Sequence, residues 1–294
     1  MTPTQIGRLK WVLDAWSTEL SSGLPIHGSI AIEKTRDTVA KVRLAVERDL
    51  RRLHKESERV KTRTPSNLAA WWIPVAALIR STEEKTPKRP TAITCVFLDI
   101  GGVLLTDGWD HHARKRLATH FKLKWAEVAN QHHLAFDTYE EGKLTLEEYL
   151  GRVVFYQKRP FTRDQFRRFM FAQSKLYPEM IEMLARLKVR YGLKIAVVSN
   201  EARELNAYRI RKFKLDRFVD FFISSCFVHI RKPDVDIFRL ALDIAQAPTR
   251  QIAYIDNTPM FVQIAEGLGI RSIFHADYRS TRAKLASFGL QNDN

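Results

Sequence analysis

Four short stretches of this 294-residue chain carry side chains that could do chemistry on a charged substrate. The first is Val96-Phe97-Leu98-Asp99-Ile100-Gly101-Gly102-Val103-Leu104-Leu105-Thr106, an apolar run that delivers a carboxylate and then two glycines. Such a run reads as a buried strand with Asp99 at its C-terminal end and a backbone free to turn sharply behind it. Ligands on open α/β sheets gather at the carboxyl ends of strands, which is where this acid falls. A strand-end Asp also serves as a helix cap, so this motif alone does not decide. The second stretch, Lys194-Ile195-Ala196-Val197-Val198-Ser199-Asn200, is another apolar strand, ending in a hydroxyl and an amide. The third, Ile230-Arg231-Lys232-Pro233-Asp234, puts a lysine on a loop before a helix that starts near Val235. The fourth, Ile252-Ala253-Tyr254-Ile255-Asp256-Asn257, is a strand that again ends in an acid.

Asp, Ser, Lys and Asp in this order resemble the motifs of the haloacid dehalogenase superfamily, mostly phosphohydrolases, over roughly residues 93–290. Phosphoryl transfer needs a nucleophile, charge neutralisation on the phosphoryl oxygens, and positioning. The resemblance implies that Asp99 attacks phosphorus and forms an aspartyl-phosphate, a covalent route open to carboxylates. It implies that Ser199 hydrogen-bonds a phosphoryl oxygen, that Asn200 contacts substrate, and that Lys232 adds positive charge and holds Asp99 ionised. Mg²⁺, a hard ion that takes a few oxygens plus waters, would be held by Asp99, the Gly101 carbonyl and Asp256.

Two departures from the family pattern matter. Most of its phosphatases carry a second Asp two residues after the nucleophile, as acid to the leaving group and then base to water. Here that place is Gly101. The C-terminal acid motif is often a pair of acids, whereas here Asn257 follows Asp256. Metal binding survives the first change, because residue 101 still offers its carbonyl. Proton transfer does not obviously survive it, so rates should depend steeply on the leaving group, and Gly101→Asp should narrow the gap. Asp107, His111 and His112 are the nearby groups that could serve as a surrogate.

The elements that must hold these residues form an α/β fold, a Rossmann-like parallel sheet built from alternating strands and helices with short links. Helices are expected at Ala202–Phe213, Val235–Ala245 and Met260–Leu268, with strands at Val219–Ser224 and Ile270–Phe274. About 90 residues separate the first two motifs, far more than a simple crossover needs. They read as helices His112–Phe121, Trp125–Tyr139, Leu146–Tyr156 and Arg163–Gln173, with Thr145 and Glu148 spaced as a capping box. This resembles the helical-bundle cap of the family, inserted at about residues 108–175. The turn Phe136-Asp137-Thr138-Tyr139-Glu140-Glu141-Gly142-Lys143-Leu144-Thr145 matches the cap turn that faces the active site in such relatives. By that resemblance Tyr139, Glu140 and Lys143 touch the substrate, and a closed cap excludes water. Gly142 as an ordinary helix C-cap explains the glycine equally well. The pairs His111-His112 and His132-His133 invite a metal reading, but adjacent helix residues point apart.

Residues 1–90 fall outside the resemblance and read as a basic helical extension closing in a linker at 81–90, which leaves a hydrolase domain at 91–294. Ile6, Leu9, Val12, Leu13, Trp16 and Leu20 share one helical face, and Val39, Val42, Val46, Leu50 and Leu53 share another. The chain's net charge is +15, of which residues 1–90 supply +7. A basic helix face can contact nucleic acid or an anionic membrane. Solvated pairs such as Glu47–Arg51 account for it more simply, and that reading is preferred. The longest apolar run, Leu68 to Ile79, is 12 residues with Pro74 inside, too short to span a bilayer. Met1 to Lys10 has no signal-peptide core, and two cysteines in apolar surroundings fit reduced thiols in the cytoplasm.

The expected protein is a Mg²⁺-dependent hydrolase acting on a small phosphorylated metabolite. A dehalogenase or phosphonate hydrolase, and a non-catalytic binding protein working through its basic extension, are the alternatives. Retention of Asp256 as a metal ligand counts against the dehalogenase.

Overall fold

Strand β1 (Cys95–Leu98) is fully buried along its length, as expected of a strand covered by helices on both faces. It belongs to the described part of the structure, a computed structural model, which comprises residues 92–291. The helices expected within residues 1–90 lie outside the described residues. Four further strands follow: β2 (Lys194–Ser199), β3 (Phe221–Ser224), β4 (Ile252–Asp256) and β5 (Arg271–Phe274). All pair in parallel, in the order β3-β2-β1-β4-β5. The order reverses beside β1, so the β1/β4 crevice is the topological switch point where such sheets bind ligands. Leu98 is in register with Ile255, which sets Asp99 and Asp256 side by side at that crevice.

The sheet alternates its side chains between two cores, as a period of two requires. Val96 and Leu98 pack on one face against helix α5 (Pro178–Tyr191) through Ile181 and Leu184. Cys95 and Phe97 pack on the other against α8 (Asp236–Ala245) through Ile237 and Phe238. Fully burying side chains of this kind stabilises by about 1.5–3 kcal/mol each, so the strand that ends at Asp99 is firmly anchored. Cys95 and Cys226 are both buried and free.

Between β1 and α5 come α1 (His111–His120), α2 (Trp125–Glu140), α3 (Leu146–Val153) and α4 (Arg163–Ala172). Their apolar faces form one cluster around Leu117, Tyr139, Tyr149 and Phe166, joined by Ala202 and Leu205 from the start of α6 (Arg203–Phe213). The capping box is present: the Glu148 amide donates to Thr145 Oγ1 at 3.2 Å, and the Thr145 amide to Glu148 Oε2 at 2.8 Å. Helix α3 stops at Val153, short of Tyr156, because the amides of Val154 and Phe155 both close on the Leu150 carbonyl. Strand β3 begins two residues later than expected, because the Val219 amide is held by the Leu215 carbonyl in the preceding turn. Among the described residues, no helix is long and apolar enough to cross a membrane.

After β3 comes the short helix α7 (Ser225–Val228), and after β4 comes α9 (Pro259–Gly267). Helix α10 (Tyr278–Ser287) follows β5. The second glycine behind Asp99 is the one under conformational demand: Gly102 has φ +71°, and a Cβ there would lie 2.0 Å from Asn257 Nδ2. Gly101 has no such positive φ, so its lack of a side chain is not required by the backbone.

Candidate active site

A cavity of about 330 Å³ opens at the carboxyl ends of β1 and β2, with Asp99, Gly101, Asp107 and Asn200 in its wall. That volume suits a small ligand. Asp99 leaves the strand with its amide still donating to the Ile255 carbonyl at 3.0 Å, which fixes the direction of its side chain. Lys232 Nζ lies 3.1 Å from Asp99 Oδ1 and 2.5 Å from Asp256 Oδ2, so one buried cation sits between two carboxylates. Burial pushes the Asp99 carboxyl up to about 6, assisted by Asp256, against the downward pull of Lys232. The Lys232 ammonium is itself held above its ordinary range by Asp99 and Asp256, which outweigh its burial.

Lys232 is held in place through its backbone. Asn200 Nδ2 donates to the Lys232 carbonyl at 2.8 Å, and the Lys232 amide donates to Asn200 Oδ1 at 2.8 Å. The amide expected to contact substrate therefore uses both of its ends to place the lysine, while also lining the cavity. Ser199 Oγ accepts from the Ile100 amide at 3.4 Å. Ser199, Lys232 and Asp256 are each no more than 1% exposed and stand behind Asp99.

The end of α2 forms the opposite wall. Tyr139 and Glu140 line the cavity, whereas Lys143 Nζ pairs with Glu141 Oε2 at 2.7 Å and is not part of its wall. The Tyr139 ring stacks on Tyr149 with centroids 4.1 Å apart, and its buried hydroxyl has no hydrogen-bond partner. Glu140 receives a two-pronged contact from Arg231, at 3.2 Å from Nε and 2.9 Å from Nη2, and Arg231 Nη1 reaches Asp137 at 2.7 Å. Burial raises the Glu140 carboxyl to about 7 while Arg231 opposes the shift. Because Arg231 immediately precedes Lys232, this contact joins the lysine loop to the inserted helices. Nothing in the residue types singled out Arg231 beforehand, except its place beside the lysine.

The turn after Glu140 is seated on α7 through backbone. Ser225 Oγ donates to the Glu140 carbonyl at 2.7 Å, and Gly142 has φ +68° with a Cβ position only 2.3 Å from the Cys226 carbonyl oxygen. A Gly142→Ala change therefore meets both a left-handed backbone and a rigid neighbour. We expect it to cost about 1–3 kcal/mol of stability, as for other non-glycine residues in that region. Faster amide exchange confined to residues 139–143 would accompany it, and unchanged melting and exchange would contradict this reading of the turn.

Arg209, which sequence reasoning did not single out, fixes the wall beneath Asp107. It is 1% exposed, pairs with Glu201, and donates to Ser174 Oγ at 3.0 Å and to the Thr106 carbonyl at 3.3 Å, as well as to the Asp107 carbonyl. A mid-helix arginine carries no local signal of such a role. Burial, with Asp110 nearby, raises the Asp107 carboxyl, while Arg209 and Asn257 draw it down.

The oxygens at the cavity suit a hard divalent ion. Asp99 and Gly101 line it and supply a carboxylate and a backbone carbonyl. Asp256 is more committed: Oδ2 takes Lys232 and Tyr254, and Oδ1 accepts from the Thr258 amide at 2.7 Å. Asn257, in the place of a second acid, also lines the cavity. Among the described residues there is no cluster of three or more His, Cys, Asp or Glu arranged as a closed metal site. The set still fits Mg²⁺, which at phosphoryl sites binds through one or two carboxylates plus substrate oxygens and waters.

A family model described as haloacid dehalogenase-like hydrolase matches residues 93–278. A candidate pyrophosphatase, PpaX, from Caldanaerobacter subterraneus subsp. tengcongensis is 29% identical over 111 residues, 38% of this chain and 50% of that protein. The match thus spans half the length of that relative. A phosphorylated carbohydrates phosphatase from Thermotoga maritima is 22% identical over 189 residues, 61% of this chain and 83% of that protein. Among solved structures, a HAD family enzyme from Bacteroides thetaiotaomicron, an alanine variant in complex with magnesium and inorganic phosphate, aligns with TM-score 0.53 at 17% identity, covering 63% of this chain and 97% of that one. A HAD-like family hydrolase from Porphyromonas gingivalis aligns with TM-score 0.52 at 20% identity, covering 62% and 90%. The ordered motifs, the switch-point carboxylates and the match across residues 93–278 lead to one conclusion: the chain belongs to the haloacid dehalogenase-like hydrolase family.

Proposed function

We propose that the chain is a Mg²⁺-dependent phosphatase of small phosphorylated metabolites, working through an aspartyl-phosphate on Asp99. The observation that carries this is the position of Asp99: a strand-end carboxylate at the sheet's switch point, open to a cavity of about 330 Å³ and backed by Lys232. The names of two relatives, a pyrophosphatase and a carbohydrate-phosphate phosphatase, support the reaction class.

In this reading Asp99 attacks phosphorus, and Lys232 keeps it ionised although burial favours the neutral acid. Ser199 and Asn200 order the loop ends around the phosphoryl group, with Asn200 also placing Lys232. Asp99 and the Gly101 carbonyl would hold Mg²⁺, with Asp256 as the adjoining acid shared with Lys232. The ion supplies charge neutralisation on the phosphoryl oxygens. Tyr139 and Glu140 face the non-reacting part of the substrate, and Lys143 would join them only by leaving Glu141. Two buried polar atoms in the cavity wall, Tyr139 Oη and Glu201 Oε2, have no partner within the protein, which favours a ligand that carries hydroxyls or bound water there. The inserted helices act as a cap that excludes water, and the protein works in the cytoplasm.

The test is a panel of phosphate esters with and without Mg²⁺. Hydrolysis of small esters that EDTA abolishes is expected. Absence of turnover on every ester would leave the binding-protein reading, which the two missing acids at Gly101 and Asn257 favour. A chain beginning at residue 91 should keep the small-substrate activity. If residues 1–90 bind nucleic acid, the full chain alone should retain it on a filter, with affinity falling steeply as salt rises.

A further inference from the structure

We propose that Asp107 is the acid and base that most phosphatases of this family carry two residues after the nucleophile. This rests on the phosphatase reading above and adds a residue to it. The observation is a space-filling one. A Cβ built on Gly101 would lie 2.8 Å from Asp107 Oδ1, so the Asp107 carboxyl fills the volume that a side chain at 101 would enter. The carboxyl has been transposed by six positions along the chain and stands in the same wall as Asp99.

Hydrogen bonds hold the backbone of the loop that carries Asp107. Arg209 donates to the carbonyls of Thr106 and Asp107, and the Trp109 amide donates to the Asp107 carbonyl at 2.7 Å. Thr106 is tied on both sides, its amide to the Lys175 carbonyl at 2.9 Å and its hydroxyl to the Gln173 carbonyl at 2.8 Å. Gly108 has φ +67° and a Cβ there would meet Arg209 Nη2 at 2.2 Å, so the close approach of the arginine depends on that glycine. The neighbouring candidates are otherwise engaged. Asp110 caps α1, accepting from the Ala113 amide at 2.7 Å. His111 and His112 are exposed at the start of that helix, with the His111 ring 4.8 Å from Trp125, and neither lines the cavity.

The chemistry balances with this one added group. Asp99 forms a bond to phosphorus as the bond from phosphorus to the ester oxygen breaks. That oxygen keeps the electron pair and takes the proton of the Asp107 carboxyl. Water then attacks the aspartyl-phosphate, gives its proton to the Asp107 carboxylate, and releases phosphate with return of the Asp99 carboxylate. General acid–base catalysis of this kind contributes about 10²–10⁴-fold. The sequence alone led to a steep dependence on leaving group. With Asp107 in place the expectation reverses, and the wild-type dependence should be shallow. Gly101→Asp alone should add little, because the Asp107 carboxyl already supplies the acid at that place.

The experiment measures kcat/KM, which reports the phosphorylation step, for aryl and alkyl phosphates of graded leaving-group pKa and for acetyl phosphate. In Asp107→Asn, alkyl esters should fall about 10²-fold or more while acetyl phosphate changes little, and an aspartyl-phosphate should accumulate. The double variant Gly101→Asp with Asp107→Ala should recover most of the alkyl-ester rate, which a merely structural role for Asp107 would not allow. If Asp107→Asn fails to fold, the comparison of this double variant with Gly101→Ala/Asp107→Ala decides in its place. Equal leaving-group dependence in wild type and Asp107→Asn, or no recovery in the double variant, overturns the proposal and leaves the phosphatase reading standing. No turnover of any ester by the wild type overturns both.

Discussion

Replacing Asp99 by Asn is expected to remove hydrolysis by three orders of magnitude or more, on the order of what loss of a covalent nucleophile costs. The fold should persist, because Lys232 keeps Asp256 as a partner at 2.5 Å. Removing a buried carboxyl that burial already pushes toward its neutral form should leave the melting temperature unchanged or raised. In the wild type the same carboxyl implies a pH limb: Asp99 must be ionised to attack, so kcat/KM should rise as pH climbs through about 6. Bound metal would move that limb to lower pH, since a cation favours the carboxylate. Wild-type rates in a refolded and pure Asp99→Asn preparation would remove the covalent mechanism.

The largest effect on stability is expected at Lys232. A Lys232→Met change leaves Asp99 and Asp256 facing each other, both nearly buried, with no cation between them. Losing one partner of a buried charge set costs about 3–5 kcal/mol, mostly as the penalty of the charges left behind. The sign of its pH dependence follows. Without the lysine, burial and the facing Asp256 hold the Asp99 carboxyl further above its unfolded value, so the folded state gains protons relative to the unfolded one. The deficit should therefore shrink as pH falls and grow as pH rises. Chemical denaturation at about pH 5 and about pH 8 measures it, and Asp256→Asn in the Lys232→Met background should recover part of the loss. A deficit under about 1 kcal/mol would mean that the lysine is dispensable to the fold and that its role is confined to substrate.

The strands and their terminal residues were legible because burial on both faces writes continuous apolar runs, and an acid at the end of such a run stands out. Asp99, Ser199 and Asp256 stand at the ends of such runs, Lys232 was read from its loop before a helix, and the fold brings the four together. What the linear pattern lacks is register. Only the pairing of Leu98 with Ile255 puts the two acids at one crevice, and no local feature of either strand specifies it. Helix α5 was not anticipated, although Pro178 in its first turn and Gly192 in a left-handed C-cap are its ordinary boundary signals. The long-range polar contacts were out of reach altogether. Arg209 meets carbonyls more than 100 positions away, and Arg231 meets Glu140 across 91 positions. Lys143 shows the converse: a cation two residues from an acid takes the local partner, Glu141. Asp107 was visible only as a nearby acid, and its contact with the empty side of Gly101 is a property of the folded loop.

The central claim is that substrate phosphorylates Asp99. Its most direct test is to quench the protein during turnover of an activated phosphate ester, reduce with borohydride, and map the peptides by mass. An aspartyl-phosphate is reduced to homoserine, so conversion at position 99, dependent on substrate and absent from Asp99→Asn, is the result expected. Sustained turnover with residue 99 unmodified, or with the modification at another acid, would contradict the account.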